Sequence, residues 1–296
     1  MGHEPMYLDL SNGRRFGPAG GGNSTGEIAW TILIPFFNER DFLASTIASL
    51  ASQTEPFTLV LIDNGSTDDS AEVARAACRA HRLEYLLITE PTPGKVAALR
   101  SGLGWVRTRW VATCDADTIY PKHYLAAAQA ILSRPGNVVA GAYFVPAHMS
   151  EHARATEATR FLTAARLLPR QCHAGGAGQA FCARTLRAAG GFDTILWNFV
   201  LEDHEVIHRM MRKGHMGYSR EMWCIPSPRE RDRDSIRWTL LERLLYSAAA
   251  PIAGDWFFYS FLARRLQRRR LLSNRMRERQ YHHIEGPTLV PPHPVC

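Results

Sequence analysis

Two carboxylates, two residues apart, follow an apolar run in this 296-residue chain: Asp115-Ala116-Asp117 comes directly after Trp110-Val111-Ala112-Thr113-Cys114. Alternate residues of an extended chain point the same way, so the pair could present oxygens toward one side. Such a pair suits a hard divalent ion, Mn2+ or Mg2+, that keeps some waters and completes its shell on a diphosphate. A solvated turn would have the same sequence, so the triplet needs context.

Four other segments supply context. Asp63 ends the run Thr58-Leu59-Val60-Leu61-Ile62 and precedes Asn64-Gly65-Ser66-Thr67-Asp68. Gly65 permits a tight turn there, and Ser66 or Thr67 is expected to cap the next helix. Turn and cap explain every residue but Asp63, an acceptor that could take the ring N–H of a uracil. Lys95 follows Thr89-Glu90-Pro91-Thr92-Pro93-Gly94 and stands in a first helical turn, where a cation opposes the macrodipole. A ligand phosphate would explain it; an exposed lysine is the plain alternative. Glu202-Asp203 opens a helical stretch reaching about Lys213, a position that favours acids. A capping pair and a general base toward a hydroxyl read alike here. Gly175-Gly176-Ala177-Gly178 is not a dinucleotide fingerprint, because Gly176-Ala177-Gly178-Gln179-Ala180-Phe181 ends in Phe. These glycines would let backbone approach a bulky ligand. His204, His208 and His215 follow closely on Asp203 and are left outside the metal site.

The elements that position these residues alternate in type. An apolar run at 28–35 leads to an amphipathic segment with Phe42, Leu43, Ile47 and Leu50 at helical spacing. The strand at 58–62 precedes a helix at 68–81, that at 85–88 a helix at 95–106, and that at 110–114 a helix opened by Pro121. The class is α/β, with a mainly parallel sheet covered on both faces. Ligands of such sheets bind outside the carboxyl ends of the strands, where the candidate residues fall. Residues 1–27, with Gly17-Pro18-Ala19-Gly20-Gly21-Gly22, read as a mobile leader, 28–226 as the sheet domain and 227–296 as a helical, arginine-rich extension.

Composition excludes some classes. With 46% hydrophobic residues the chain can bury a core, and its formal charge of +7 suggests an anionic partner. Six cysteines form no C-x-x-C pair and read as buried thiols. Without an apolar stretch after the N-terminal charges, a cytoplasmic location is expected, and the sequons at Asn23 and Asn64 read as chance. No run reaches the roughly 18 to 20 apolar residues of a spanning helix, so a membrane would be met from its inner face.

In order and spacing, Ile34-Pro35-Phe36-Phe37-Asn38-Glu39, Asp63 to Asp68, Gly94-Lys95, Asp115-Ala116-Asp117, Glu202-Asp203 and Gly190-Gly191-Phe192-Asp193 resemble the inverting family 2 glycosyltransferases of GT-A fold. The resemblance covers roughly residues 30 to 225. It implies a Rossmann-like sheet flanked by helices and a sugar transfer from a nucleoside-diphosphate donor, UDP-sugar favoured, to an acceptor hydroxyl. It implies that Pro35, Phe37 and Glu39 line the nucleotide pocket, Asp63 binds the base, and Lys95 lies near the nucleotide. Asp115 would meet ribose and metal, Ala116 would lie in the donor-binding triplet, and Asp117 would hold the metal. Asp203, beside Glu202, would deprotonate the acceptor, for which a lipid or cell-envelope glycan precursor is the class suggested. The Q-x-x-R-W motif of processive synthases is absent, with Ser235-Ile236-Arg237-Trp238 only an echo, so single transfer is expected. Asn64 departs from a position where the family often has a second Asp, which loosens the assignment to uracil. A sugar-phosphate nucleotidyltransferase would carry an early G-x-G-T-R-type loop where this chain has Pro35-Phe36-Phe37-Asn38-Glu39-Arg40. A non-catalytic nucleotide-sugar-binding or membrane scaffold would not need acids at 63, 115, 117 and 203.

The charged run 227–234 reads as a solvated surface or as a lid bringing Arg229 or Arg231 to the diphosphate. Beyond it, Asp255 to Leu262 is an aromatic block followed by Arg264, Arg265, Arg268, Arg269, Arg270, Arg275, Arg277 and Arg279. Residues 255–279 fit an interfacial helix on an anionic membrane, or equally a helix packed on the domain. No nucleic acid is expected, since no recognised nucleic-acid fold accompanies the charge.

Overall fold

The computed structural model describes residues 8–9, 28–227 and 238–278. The rest of the leader, Arg229 and Arg231 of the lid reading, and Arg279 lie outside the described residues.

Strand β2 (Trp30–Phe36) shows how the sequence builds the centre. Trp30, Ile32, Ile34 and Phe36 pack on one side with Leu43, Ile47 and Leu50 of α1 (Leu43–Ala51). Leu33 packs on the other side with Val96 and Leu99 of α3 (Lys95–Leu103). Helices on both faces explain why the strand is apolar at nearly every position. Removing one such side chain, as in Ile34→Ala, costs about 2–5 kcal/mol.

The remaining elements are β1 (Leu8–Asp9), β3 (Phe57–Asp63), α2 (Ser70–Ala80), β4 (Tyr85–Thr89), β5 (Trp110–Cys114), β6 (Thr118–Ile119), α4 (Tyr124–Leu132), β7 (Asn137–Phe144), α5 (Glu151–Leu167), β8 (Gly178–Cys182), α6 (Ala183–Ala188), α7 (Glu202–Met211), β9 (His215–Pro226), α8 (Leu240–Asp255), a π-helical turn (Trp256–Leu262), α9 (Ala263–Arg268) and a 3-10 turn (Ser273–Glu278). The sheet order is β1-β4-β3-β2-β5-β8-β7-β9-β6. From β2 the chain winds outward through β3 to β4 and returns to β5 on the other flank of β2, all in parallel. The crevice at the carboxyl ends of β2 and β5 is therefore the topological switch point, the place where such sheets bind ligands.

Two features add to the sequence reading of a mainly parallel sheet. The sheet is mixed, because β8 runs antiparallel to both β5 and β7. The expected leader contributes a two-residue strand, Leu8–Asp9, parallel to Leu86 and Leu87.

The C-terminal part shares a core with the sheet domain. Trp197 and Val200 pack with Tyr246, Phe257, Phe258 and Leu262. Phe257, Phe258 and Leu262 are all 0% exposed, so these members of the aromatic block are interior residues rather than a lipid-facing surface. Glu242, also buried, accepts from Arg265 at 2.8 Å and Arg269 at 3.2 Å and closes a capping box with Thr239. Two of the tail's arginines thus point inward. Past α9 the chain returns to the domain: Leu272 bridges Phe199, Val200 donates to the Leu271 carbonyl, and Ser273 donates to the Asn198 carbonyl.

Candidate active site

The polar residues at the switch point are placed by strand ends. Pro35 and Phe37 lie on the half-exposed side of the β2 terminus while Phe36 turns into the core. Asp63 ends β3, with Oδ1 accepting from the Ser66 N–H at 2.8 Å. Neither Ser66 nor Thr67 caps α2, contrary to expectation. The Ser66 hydroxyl accepts from the Asn38 N–H, and the Thr67 N–H donates to Asn38 Oδ1. Asn38 sits at φ 54, and this lattice holds the left-handed bend after β2. Asp68 accepts from the Ser70 N–H, and the Ser70 hydroxyl accepts from the Glu39 N–H, so Glu39 is tied to the start of α2.

Asn64 is buried and fully engaged. Its amide donates to the carbonyls of Glu90 at 2.9 Å and Thr92 at 2.8 Å, and its oxygen accepts from the Gly94 N–H at 2.9 Å. A carboxylate could not make the two donations, so the departure at this position has a structural reason. The residue fixes the turn that delivers Lys95.

Lys95 is the hub of the crevice. Its Nζ lies 2.6 Å from Asp115 Oδ1 and 3.5 Å from Glu202 Oε1. A cation at the start of α3 is thus explained by acids from β5 and α7. Burial works to lower the Lys95 pKa, but Asp115, Glu202 and Asp203 more than reverse it, and the ammonium stays charged. The Glu202 pKa is raised too, because burial raises its carboxyl more than Lys95 lowers it. Asp203 ends below the usual carboxylate range: burial would raise it, but His204, by charge and hydrogen bonds, and Lys95 outweigh that.

Asp203 is buried at the start of α7, after Leu201 in the left-handed region at φ 65. Its Oδ1 accepts from the His204 N–H at 2.9 Å and sits 3.0 Å from His204 Nδ1. Oδ2 faces the glycine loop: a Cβ built on Gly176 would stand 3.3 Å from it. Behind the pair, the His204 ring lies 5.2 Å from Trp238 and 5.9 Å from Tyr246, so the C-terminal part backs this carboxylate.

Asp115 and Asp117 flank buried Ala116, whose carbonyl accepts from the Thr46 hydroxyl. Asp117 is 5% exposed, and its carbonyl accepts from the Ser227 N–H. Burial pushes the Cys224 thiol well up, and Cys114, Asp115 and Asp117 add to the rise. Tyr120 ties this triplet to the glycine loop, its hydroxyl accepting from the Asp115 N–H at 2.9 Å and donating to the Ala177 carbonyl.

Among the described residues no three His, Cys, Asp or Glu side chains group to hold a metal. Two carboxylates do not make a closed structural zinc site. They fit a hard divalent ion that draws its remaining ligands from water and a diphosphate.

The structure thus gathers Lys95, Asp115, Glu202 and Asp203 at one point and sets Pro35, Phe37, Glu39 and Asp63 along the neighbouring strand ends. Asn64, Tyr120 and His204 complete the site without having been singled out as site residues by their local sequence, beside Gly176 of the loop expected to approach a ligand. Each acts through a partner distant in the chain or, for His204, through a side-chain orientation that spacing does not encode.

The model of glycosyl transferase family 2 matches residues 31–188. Over 96 residues the chain is 33% identical to undecaprenyl-phosphate 4-deoxy-4-formamido-L-arabinose transferase of Edwardsiella ictaluri, which covers 31% of this chain and 30% of the relative. Succinoglycan biosynthesis protein ExoU of Rhizobium meliloti is 34% identical over 89 residues, 30% of this chain and 26% of the relative. The chain thus spans less than a third of the length of these relatives. The fold is similar to that of the mannosyltransferase PcManGT from Pyrobaculum calidifontis in complex with GDP-Man and Mn2+, at a TM-score of 0.59, 20% identity, and coverage of 81% of this chain and 74% of that one. It is also similar to glucosyl-3-phosphoglycerate synthase from Mycobacterium tuberculosis in complex with Mn2+, UDP and glucosyl-3-phosphoglycerate, at a TM-score of 0.51, 19% identity, and coverage of 76% and 82%.

Proposed function

The chain belongs to glycosyl transferase family 2, and from that premise we propose that it moves one sugar from a nucleoside-diphosphate donor, UDP-sugar favoured, to an acceptor hydroxyl with inversion. The observation that carries this reading is the convergence of Lys95, Asp115, Glu202 and Asp203 at the switch point.

In this reading Pro35, Phe37 and Glu39 line the nucleotide pocket, and Asp63 offers its second oxygen to the N–H of the base. Lys95, held charged by its acids, is placed to exchange Asp115 for a donor phosphate, an ammonium being a good phosphate ligand. Asp115 and Asp117 would hold Mn2+ or Mg2+, which when bound would offset charge on the leaving diphosphate. Asp203, ionised and steadied on Oδ1 by His204, takes the acceptor proton on Oδ2, while the absent side chain of Gly176 leaves room for that hydroxyl. The oxygen so activated attacks the anomeric carbon from the face opposite the diphosphate, one C–O bond forming as the other breaks.

The Edwardsiella ictaluri relative is named as an undecaprenyl-phosphate transferase, which supports a lipid-linked acceptor. Among the described residues no helix is long and apolar enough to cross a membrane, so the protein would meet such an acceptor from the surface.

A screen of nucleotide sugars with Mn2+ by thermal shift tests the donor, because a ligand of the folded state raises its apparent stability. The expected result is stabilisation by a UDP-sugar with metal, and release of UDP on adding acceptor. Stabilisation by no nucleotide sugar, or release of pyrophosphate, would refute the proposal.

A further inference from the structure

The outer face of α8 is built unlike the surface of a protein that stays in water. Leu240, Leu244, Ala248 and Ile252 recur every four residues and so form one stripe along the helix. Leu240 is 74% exposed, Leu244 60% and Ile252 89%. The inner face of the same helix carries Glu242 and Tyr246, both buried. From Leu240 to Ile252 the helix extends about 18 Å, a length that lies along a surface rather than through it.

The segment that follows α5 meets α8. The Gln171 amide donates to the Ser247 carbonyl, and the Cys172 N–H donates to the Tyr246 hydroxyl. These bonds set the end of α5, with Leu167 and Leu168 exposed, beside the middle of α8. Patches of this kind, when rimmed by polar residues, mark interaction sites.

Charge selects the occupant. Arg243 and Arg166 are exposed at the rim, and Arg264 and Arg268 follow on α9. The nearby acids are withdrawn: Glu242 is buried against Arg265 and Arg269, and Asp255 is paired with His208 at 2.9 Å and Arg212 at 3.1 Å. The face is therefore apolar with net positive charge, the complement of an anionic lipid surface.

We propose that the outer face of α8, with the end of α5, docks the protein on an anionic lipid surface. Tyr246 on the inner face packs against His204, and Cys172 leads into the glycine loop that covers Asp203. Docking thus brings Asp203 to headgroup level, where a hydroxyl or phosphate on a lipid carrier would reach it. The assignment of that acceptor rests on the function proposed above; the docking face does not.

The test is co-sedimentation of the full chain with vesicles of phosphatidylcholine and phosphatidylglycerol, and with phosphatidylcholine alone. The wild type should sediment with the anionic vesicles, less so at high salt, and not with the neutral ones. The double variant L244E/I252E should lose at least about tenfold in partitioning while its melting temperature still rises with UDP-sugar and Mn2+. Should that variant not fold, R166E/R243E at the exposed rim must lose the anionic preference instead. Undiminished sedimentation of either variant, equal binding to neutral vesicles, or a wild-type dimer that L244E/I252E dissociates would overturn the proposal. A chain that docks but binds no nucleotide sugar would sink the proposed function and leave the docking face standing.

Discussion

Replacing Asn64 by Asp changes one NH2 group to an oxygen, and the surroundings make that change costly. The amide donates to two carbonyls, at 2.9 and 2.8 Å, in a site that leaves the residue 4% exposed. Asn64→Asp loses both donations, at about 1 kcal/mol each, and leaves two carbonyls facing a carboxylate, at about 1 kcal/mol or more for each group. The bond from the Gly94 N–H survives. The expected loss is about 4 kcal/mol, or about 8–16 °C in melting temperature for a domain of this size. The introduced carboxyl, buried and facing carbonyls, has its folded pKa raised above the unfolded value of about 3.9. Its charged form is what the fold disfavours, so the deficit is largest at high pH and shrinks as pH falls through the raised pKa. Calorimetric unfolding of N64D and wild type between about pH 8 and 5 measures both effects. A variant within about 2 °C of wild type at neutral pH, or a deficit that does not change with pH, would show that this amide is not the fastener of the Lys95 turn.

Asp203→Asn should keep metal-dependent donor binding and lose about 10²–10⁴-fold in transfer, measured as UDP release with acceptor; unchanged transfer removes Asp203 as base. Asp117→Ala should abolish the part of donor affinity that calorimetry attributes to Mn2+, and equal affinity with a chelator in wild type would reject the metal site. Gly176→Val puts methyl groups into the space beside Asp203 Oδ2, so transfer should fall about 10²-fold with donor binding intact; a parallel loss of both would mean that the loop shapes the donor pocket instead. Glu242→Gln should cost about 2–3 kcal/mol, below the usual loss from breaking a buried pair because Arg265 and Arg269 keep partial access to water. Arg265, Thr239 and Arg269 overcome burial and hold the Glu242 pKa below its unfolded value. The stability it supplies is therefore present above about pH 4.3 and lost as pH falls below that, and E242Q should show a flatter acid limb in denaturant unfolding.

The parallel half of the fold was legible because its signals are local. Strands β2 to β5 are apolar runs at regular spacing, and Asp63, Lys95 and Asp115 fall at or just beyond the ends of their neighbouring elements. The other half was not. Strand β8 is Gly178-Gln179-Ala180-Phe181-Cys182, which reads as the tail of a glycine loop and becomes a strand only because β5 and β7 flank it. Strand β9 carries Ser219, Arg220 and Glu221 within its span, so its pattern resembles surface until paired with β7. Ser66 and Thr67 are good capping residues by type, yet Asn38, 28 and 29 positions away, claims their bonds. Glu202-Asp203 could be placed on its helix, but the choice between cap and base needed Lys95 and Gly176 beside it.

The return of residues 271–273 to the Asn198 to Val200 strip has a consequence for how the protein is made. The ribosome releases the sheet domain first, as N-terminal elements generally fold ahead of later ones. At that stage the strip leading into Glu202 and Asp203 lacks the backbone partners that Leu271, Leu272 and Ser273 supply, and Gly94 lacks the wall formed by Ser273 and Asn274. The turn before Lys95 and the strip before Asp203 are thus both completed only after residues 271–274 have been made. A chain cut before them would have the strand ends of the crevice without the packing that fixes these two segments.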